Sequence, residues 1–206
     1  MPRASYYIKH DKDRFNGLLS TIPRYILIIT IPLTMGIIIL SSNTMYALGG
    51  PDFLEGEKLL KVLSLLLIFA PLSSYLQNQV LIPTGNEKLG LFCAFLSSFI
   101  SIGLNLLFIP RYGYMGAGYA ACIAEFVAVS TRYYIVRYKL EYKNLRFFNK
   151  SVYLYFFSSI IMGTVVIYVN TLTTNYIISL FICTSVGLGV YLGILIMLKE
   201  QVTIST

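Results

Sequence analysis

The chain has 206 residues, of which 56% are hydrophobic and only 12% charged, and its mean hydropathy is +0.71. This balance excludes a soluble globular domain and predicts a membrane protein. The net charge of +7 comes from basic residues between apolar segments. No basic stripe lies beside stacking aromatic residues, so the charge reflects membrane topology and no nucleic-acid partner is predicted.

Residues 1–24 are amphiphilic, because charged residues alternate with aromatic and aliphatic ones. This pattern is typical of a helix lying at a membrane surface, and a plain cytoplasmic connector explains it equally well. The first membrane helix is predicted from Tyr25 to Leu40, with a kink at Pro32.

The second predicted helix runs from Leu59 to Ile82 and carries Pro71 near its middle. Ser74, Gln77 and Asn78 share one face of this helix. Amides inside a membrane need partners or water, so this face should point into the protein. Gln77 and Asn78 are therefore candidates for lining a cavity.

Two apolar runs, Leu89–Ile109 and Met115–Val136, predict a tight transmembrane hairpin whose turn begins at Pro110. The first arm places four small or polar residues on one face, at spacings of three and four: Ala94, Ser98, Ser101 and Asn105. This face can bind a sugar or join helices, and joining is the more frequent use. The second arm has a small residue at every fourth position, which permits close packing: Gly116, Ala120, Ala124 and Ala128.

Two further helices are predicted at Val152–Val169 and Tyr176–Leu198, and the last carries a second small-residue stripe at Ser185, Gly189 and Gly193. Six helices place thirteen of the sixteen basic residues on one side, together with both termini. The positive-inside rule assigns that side to the cytoplasm.

The predicted fold is therefore all-α: a polytopic membrane protein with about six transmembrane helices. Its predicted parts are a cytoplasmic amphiphilic segment (1–24), a four-helix core (25–140), and two further helices with a short cytoplasmic tail (141–206).

Glu125 lies near the middle of the second hairpin arm. A bare carboxylate at this depth costs roughly 2.5 kcal/mol or more, so it must be paired, protonated or facing water. Arg132, seven residues on, lies on nearly the same face. A structural pair, with Arg132 or with a residue outside this chain, is one interpretation. A proton or coupling-ion site in a cavity is the other.

Three basic residues lie near the predicted cytoplasmic boundary: Arg24, Lys88 and Arg132. They can bind a pyrophosphate headgroup through charge-assisted hydrogen bonds, or they can anchor the helices at the interface. No Ser–His–Asp, Cys–His or metal set can be assembled from the intramembrane residues. The sequence therefore predicts a protein that is not an enzyme, with no metal site and no cofactor.

Several short motifs follow one another along the chain. They are the opening Pro2-Arg3-Ala4-Ser5, the run GNEK from residue 85, and LNLLFIPRYGYMGAGYA at 104–120. In this order they resemble the bacterial oligosaccharide flippases of the Wzx (RfbX) type, in the superfamily that includes the MATE exporters and MurJ. The resemblance covers most of residues 1–140 and is looser beyond.

The resemblance implies the C-terminal lobe of a flippase in the bacterial cytoplasmic membrane. Such a protein moves undecaprenyl-pyrophosphate-linked oligosaccharides for O-antigen, capsule or other surface polysaccharide. The implied partners are lipid-linked oligosaccharide, membrane lipid, and a missing N-terminal half or other polysaccharide-assembly proteins. Alone the chain is expected to be inactive, because alternating access usually needs two repeats. The alternatives are a non-transporting membrane scaffold and a fragment of a MATE-like multidrug exporter.

Overall fold

The computed structural model describes residues 12–142, 144, 145, 147 and 150–197, and the regular elements of this part are all helical, which confirms the all-α prediction. The helices are α1 (Lys12–Ile39), α2 (Ser41–Gly49), α3 (Glu57–Leu63), α4 (Leu66–Tyr75), α5 (Glu87–Tyr112), α6 (Tyr114–Tyr134), α7 (Lys150–Thr171) and α8 (Tyr176–Met197). A 3₁₀ turn precedes α3 (Pro51–Gly56), and π-helical segments extend α4 (Leu76–Leu81) and α6 (Ile135–Lys139).

Length and composition support fewer spans than the six predicted. Among the described residues, four segments are long and apolar enough to cross a membrane: Gly17–Ile39, Glu87–Tyr112, Ser151–Thr171 and Tyr176–Met197. The pair Pro51–Leu63 and Leu66–Leu81, bent by 43°, adds a fifth if it is one span. Helix α6 is not among them, because its charged residues, glycines and tyrosines lower its mean hydropathy.

The first helix begins earlier than Tyr25, the start that the sequence predicted. Residues 12–24 form the first turns of α1, which continues without a break to Ile39. Leu19 and Pro23 are fully buried, because apolar residues at helical spacing turn inward here as in the rest of α1. Residues 1–11 of the predicted amphiphilic segment lie outside the described part of the chain.

The chain divides into two compact units. The first unit combines Met1–Ile26 with Val62–Phe147, and the second combines Leu27–Lys61 with Phe148–Thr206. In the first unit, α6 packs against α5 along the hairpin and also against α4. In the second unit, α7 packs against α8, and α2 packs against α8. The division into 1–24, 25–140 and 141–206 stays a prediction.

Long-range hydrogen bonds hold the second unit together. The Tyr191 hydroxyl donates to the Ile28 carbonyl at 2.7 Å. The Asn43 side-chain amide donates to Asn170 Oδ1 and to the Tyr176 carbonyl, each at 3.2 Å. Buried polar groups are costly when unpaired, and these bonds satisfy the buried side chains of Asn43 and Tyr191.

The hairpin between α5 and α6 turns at a single residue. Gly113 separates the two helices and has φ +58°, a conformation that glycine adopts without steric cost. Pro110, predicted to begin the turn, instead lies in the last turn of α5. A proline costs the helix one hydrogen bond, and α5 continues past it until the Gly113 N–H donates to the Ile109 carbonyl at 2.8 Å.

The small-residue stripe of α6 is buried, as predicted, at Gly116, Ala120, Ala124 and Ala128. A Cβ atom on residue 116 would overlap the backbone carbonyl of Phe108, so α5 and α6 meet backbone to backbone. The second predicted stripe does not pack within the described part of the chain, because Ser185 and Gly189 are exposed, so its contact with another chain stays a prediction. Helix α8 buries a different set at four-residue spacing: Ser179, Cys183, Gly187, Tyr191 and Leu195.

Candidate functional site

A buried polar cluster surrounds Arg132 in the first unit. Arg132, on α6, is 9% exposed. Its Nη1 group donates to Ser73 Oγ on α4 at 2.6 Å, and its Nε group donates to Gln77 Oε1 at 3.3 Å. The cluster therefore joins two predicted site residues, Arg132 and Gln77, to Ser73, which the sequence did not single out as a site residue.

Helix α5 closes the cluster at Gly90. A Cβ atom on residue 90 would overlap the side-chain amide of Gln77, so the absence of a side chain leaves the space in which that amide lies. Cys93, one turn further along α5, is fully buried. Gly90 was not predicted, because a single glycine in an apolar run gives no signal of what packs against it.

The structure shows no ion pair between Glu125 and Arg132, which was one of the interpretations that the sequence left open. In the described part of the chain no hydrogen bond or ion pair joins Glu125 to another residue, and Arg132 is bound to Ser73 and Gln77. Seven residues put the two side chains on one face, but Arg132 lies about 10 Å further along the axis, beyond contact distance. The remaining interpretations of Glu125, a partner outside this chain or a cavity, stay predictions.

Glu125 is half-buried, and its neighbours on α6 contact the end of α3 and the start of α4. One turn before it, Cys122 Sγ donates to the Val62 carbonyl at 3.2 Å. The next residue, Phe126, meets the ring of Phe69 edge to face, with centroids 5.4 Å apart. Residues on either side of Glu125 in α6 therefore contact both helices of the bent pair.

The face of Ser74, Gln77 and Asn78 does not point inward as one surface. Gln77 contacts Arg132, whereas Asn78 donates to the exposed Ser74 hydroxyl at 3.0 Å. The π-helical segment that begins at Leu76 has a wider turn than an α-helix, which changes the direction of the side chains that follow.

The polar face of α5 is bonded only within its own helix, as far as the structure describes the chain. Asn105 Nδ2 donates to the Ser101 carbonyl at 2.8 Å and lies 3.4 Å from its hydroxyl. Ser98 is exposed, and α5 is the least buried of the four candidate spans. Neither a sugar site nor a joint between helices follows from these contacts, so both stay predictions.

Two further basic candidates do not join the cluster. Lys88 is exposed in the first turn of α5. Arg24 is half-buried and lies inside the candidate span Gly17–Ile39, because that span begins earlier than the sequence predicted. Of the three basic candidates, Arg132 is the one that the described structure buries among polar partners.

The second unit contains two cavities that the sequence did not predict. An apolar cleft of about 400 Å³ lies between α1, α7 and α8, lined by residues such as Leu33, Met162 and Leu188. A smaller polar cavity of about 260 Å³ is lined by the amides of Asn43 and Asn170 and by neighbouring hydroxyl groups. The described residues contain no group of three or more His, Cys, Asp or Glu side chains able to hold a metal ion.

Comparison with known proteins identifies relatives that match most of the chain. The sequence model of the family described as lipid II flippase MurJ matches residues 1–187. The fold is similar to the solved structure of lipid II flippase MurJ in the inward closed conformation. The TM-score is 0.79 at 25% identity, over 96% of this chain and 42% of that chain. An uncharacterized membrane protein of Methanocaldococcus jannaschii is 24% identical over 168 residues, which are 82% of this chain and 32% of that protein. The chain therefore spans less than half the length of both relatives.

Proposed function

Because the chain belongs to the MurJ lipid II flippase family, we propose that it forms one lobe of a transporter for a lipid-linked precursor of the cell envelope. The fold carries this proposal, since 96% of the chain matches a solved flippase. The family consists of transporters and not enzymes, in agreement with the sequence prediction. The chain is a multi-pass membrane protein.

Two substrates fit the proposal. Lipid II is the first candidate, because the matching family is named for it. An undecaprenyl-pyrophosphate-linked oligosaccharide, for O-antigen, capsule or another surface polysaccharide, is the second. The order of motifs from Pro2 to Ala120 supports the second candidate through its resemblance to the Wzx-type flippases.

Both units contain features suited to a lipid-linked ligand. The cleft between α1, α7 and α8 is almost entirely apolar, and an apolar groove in a membrane protein favours a hydrocarbon chain. The first unit supplies a buried cation at Arg132. We place the protein in the bacterial cytoplasmic membrane with both termini cytoplasmic, and we propose that a second lobe or other polysaccharide-assembly proteins complete the cavity.

Native mass spectrometry of the purified 206-residue chain tests this function. The detergent-solubilised protein is mixed with equal amounts of lipid II, an undecaprenyl-pyrophosphate-linked oligosaccharide and phosphatidylglycerol. We expect the chain to retain a lipid-linked glycan at least about tenfold more than phosphatidylglycerol, which corresponds to about 1.4 kcal/mol of selectivity. Equal retention of all three lipids would reject the transporter proposal in favour of a membrane scaffold.

A growth assay distinguishes the proposed transporter from a fragment of a MATE-like multidrug exporter. Expression of the chain in cells that lack their own drug exporters should leave their tolerance of cationic drugs unchanged. Increased tolerance would favour a fragment of a MATE-like exporter. We also expect the chain alone not to restore growth or surface glycan in flippase-deficient cells, because alternating access usually needs two repeats moving against each other.

A further inference from the structure

We propose that Arg132, held by Ser73 and Gln77, is an anion-binding site for a phosphate or diphosphate group. The assignment of that group to a lipid-linked substrate rests on the proposed function. The binding site itself rests on the geometry of the first unit.

The charge on Arg132 is uncompensated within the described part of the chain. A guanidinium group keeps its proton at all physiological pH values. Arg132 is buried, yet its partners are a hydroxyl group and an amide, both neutral. No ion pair joins it to an acidic residue that the structure describes. A buried charge needs an opposite charge as well as hydrogen bonds, so the site lacks an anion.

Some N–H groups of the Arg132 guanidinium are not used by its contacts within the chain. The guanidinium carries five N–H groups, and the contacts to Ser73 and Gln77 use one at Nη1 and one at Nε. Among the described residues, the enclosed side-chain polar atoms without a partner are Thr30 Oγ1 and Ser158 Oγ. The Nη2 group is not among these enclosed atoms, so it is not fully shut off from its surroundings.

Ser73 and Gln77 also fix the direction in which the unbound Nη2 group of Arg132 points. Ser73 is 3% exposed and holds Nη1, and Gln77 holds Nε. Gly90 leaves room for the Gln77 amide, so α4, α5 and α6 together set the plane of the guanidinium group. A planar fork fixed in this way is suited to bidentate contact with phosphate oxygens.

Equilibrium binding of two radiolabelled probes to the detergent-solubilised chain tests the site. The probes are farnesyl pyrophosphate, in which a lipid carries the diphosphate, and inorganic pyrophosphate. We expect Arg132→Gln to weaken probe binding at least about tenfold, the loss expected for a hydrogen bond to a charged group. Arg111→Gln removes the same charge from an exposed position on α5 and should leave the affinity unchanged.

A second variant tests the geometry without changing charge. Gly90→Ala inserts a Cβ atom where the Gln77 amide lies, so it should misalign the guanidinium group and weaken binding about threefold to tenfold. Gly103→Ala lies on the same helix, and its Cβ atom would have no neighbour within 4 Å. This control should bind like the wild type.

The outcomes distinguish the sources of the anion and the two proposals. Tighter binding of farnesyl pyrophosphate than of inorganic pyrophosphate assigns the site to a lipid headgroup, and equal binding assigns it to free phosphate. Binding of neither probe, or equal losses in Arg132→Gln and Arg111→Gln, would overturn the anion site. If the probes bind as expected but no lipid-linked glycan is retained, the site stands and the proposed transport function fails.

Discussion

Glu125 is an acidic side chain without a hydrogen bond or ion pair to any residue that the structure describes. It is half-buried on a helix that packs closely on two sides, and no described residue bonds to its carboxylate. Removal of one member of a buried ion pair is strongly destabilising because the other charge stays unpaired. Removal of an unpaired carboxylate leaves no opposite charge without a partner.

The first prediction concerns the thermal stability of variants at this position. Glu125→Gln should change the free energy of unfolding by less than about 1 kcal/mol, because no partner is lost. Arg132→Gln should cost about 1–3 kcal/mol, because Ser73 and Gln77 lose a charged partner. Thermal denaturation of the purified variants, followed by monomer recovery on a sizing column, measures both. A loss for Glu125→Gln equal to that for Arg132→Gln would identify a structural partner for Glu125.

Export assays extend this prediction to function. If the transporter contains this lobe and Glu125 lines a water-filled cavity, Glu125→Gln should lower glycan export at unchanged membrane abundance. Glu87→Gln, which removes an exposed carboxylate at the start of α5, is the matched control. Unchanged export in the Glu125 variant would remove this residue from the site.

At the level of elements, the sequence predicted the helices better than it predicted their contacts. Apolar runs of sufficient length identified each main helix, and the stripe from Gly116 to Ala128 identified a true packing surface. The stripe at Ser185 and Gly189 was equally regular but exposed, because burial depends on which face the neighbouring helices cover. The spacing of small residues shows where a helix can pack closely, and the tertiary structure determines whether another helix covers that face.

The same limit applies to the candidate site. Arg132 and Gln77 were both predicted as site residues, yet their contact joins positions 55 residues apart and no local pattern records it. The pairing of Arg132 with Glu125 was inferred from helical periodicity alone. The structure lacks this pair, and Arg132 instead donates to Ser73 and Gln77, on α4 and its π-helical extension.

The hairpin provides the second prediction. Gly116→Ala places a Cβ atom against the backbone carbonyl of Phe108, which cannot move aside as a flexible side chain can. It should destabilise the protein by about 1–3 kcal/mol through overpacking. Gly189→Ala, in α8, meets no atom within 4 Å and should be neutral or stabilising by up to about 1 kcal/mol, because alanine favours the helix. Thermal melting in detergent compares the two variants, and equal melting temperatures would contradict close contact in the hairpin.

At the level of the whole molecule, the topology is still a prediction. Six helical segments were predicted to span the membrane, and length and composition support four, or five with the bent pair. Whether α6 crosses the membrane determines on which side of it the following connections lie. If α6 does not cross the membrane, the connection between α6 and α7 lies on the side opposite to the one that the six-span arrangement assigns.

Cysteine labelling tests the topology in intact cells. Asp52 and Asn144 are both exposed, and the three native cysteines are buried, so they give little background. With six spans and cytoplasmic termini, Asp52→Cys should react with an impermeant maleimide from outside, and Asn144→Cys should react only after permeabilisation. Reaction of Asn144→Cys in intact cells would show that the six-span arrangement is wrong.

The bond between Asn43 and Asn170 also constrains how the protein is made. The two amides are 127 residues apart, and ribosomes add about 5–20 residues per second, so Asn43 emerges about 6–25 seconds before its partner. During that interval the Asn43 amide, which lies just beyond the candidate span Gly17–Ile39, has no native partner. The insertion machinery or surrounding water must shelter it until the last two helices arrive. Slow translation between these positions therefore prolongs the period in which quality-control proteases can recognise the nascent chain.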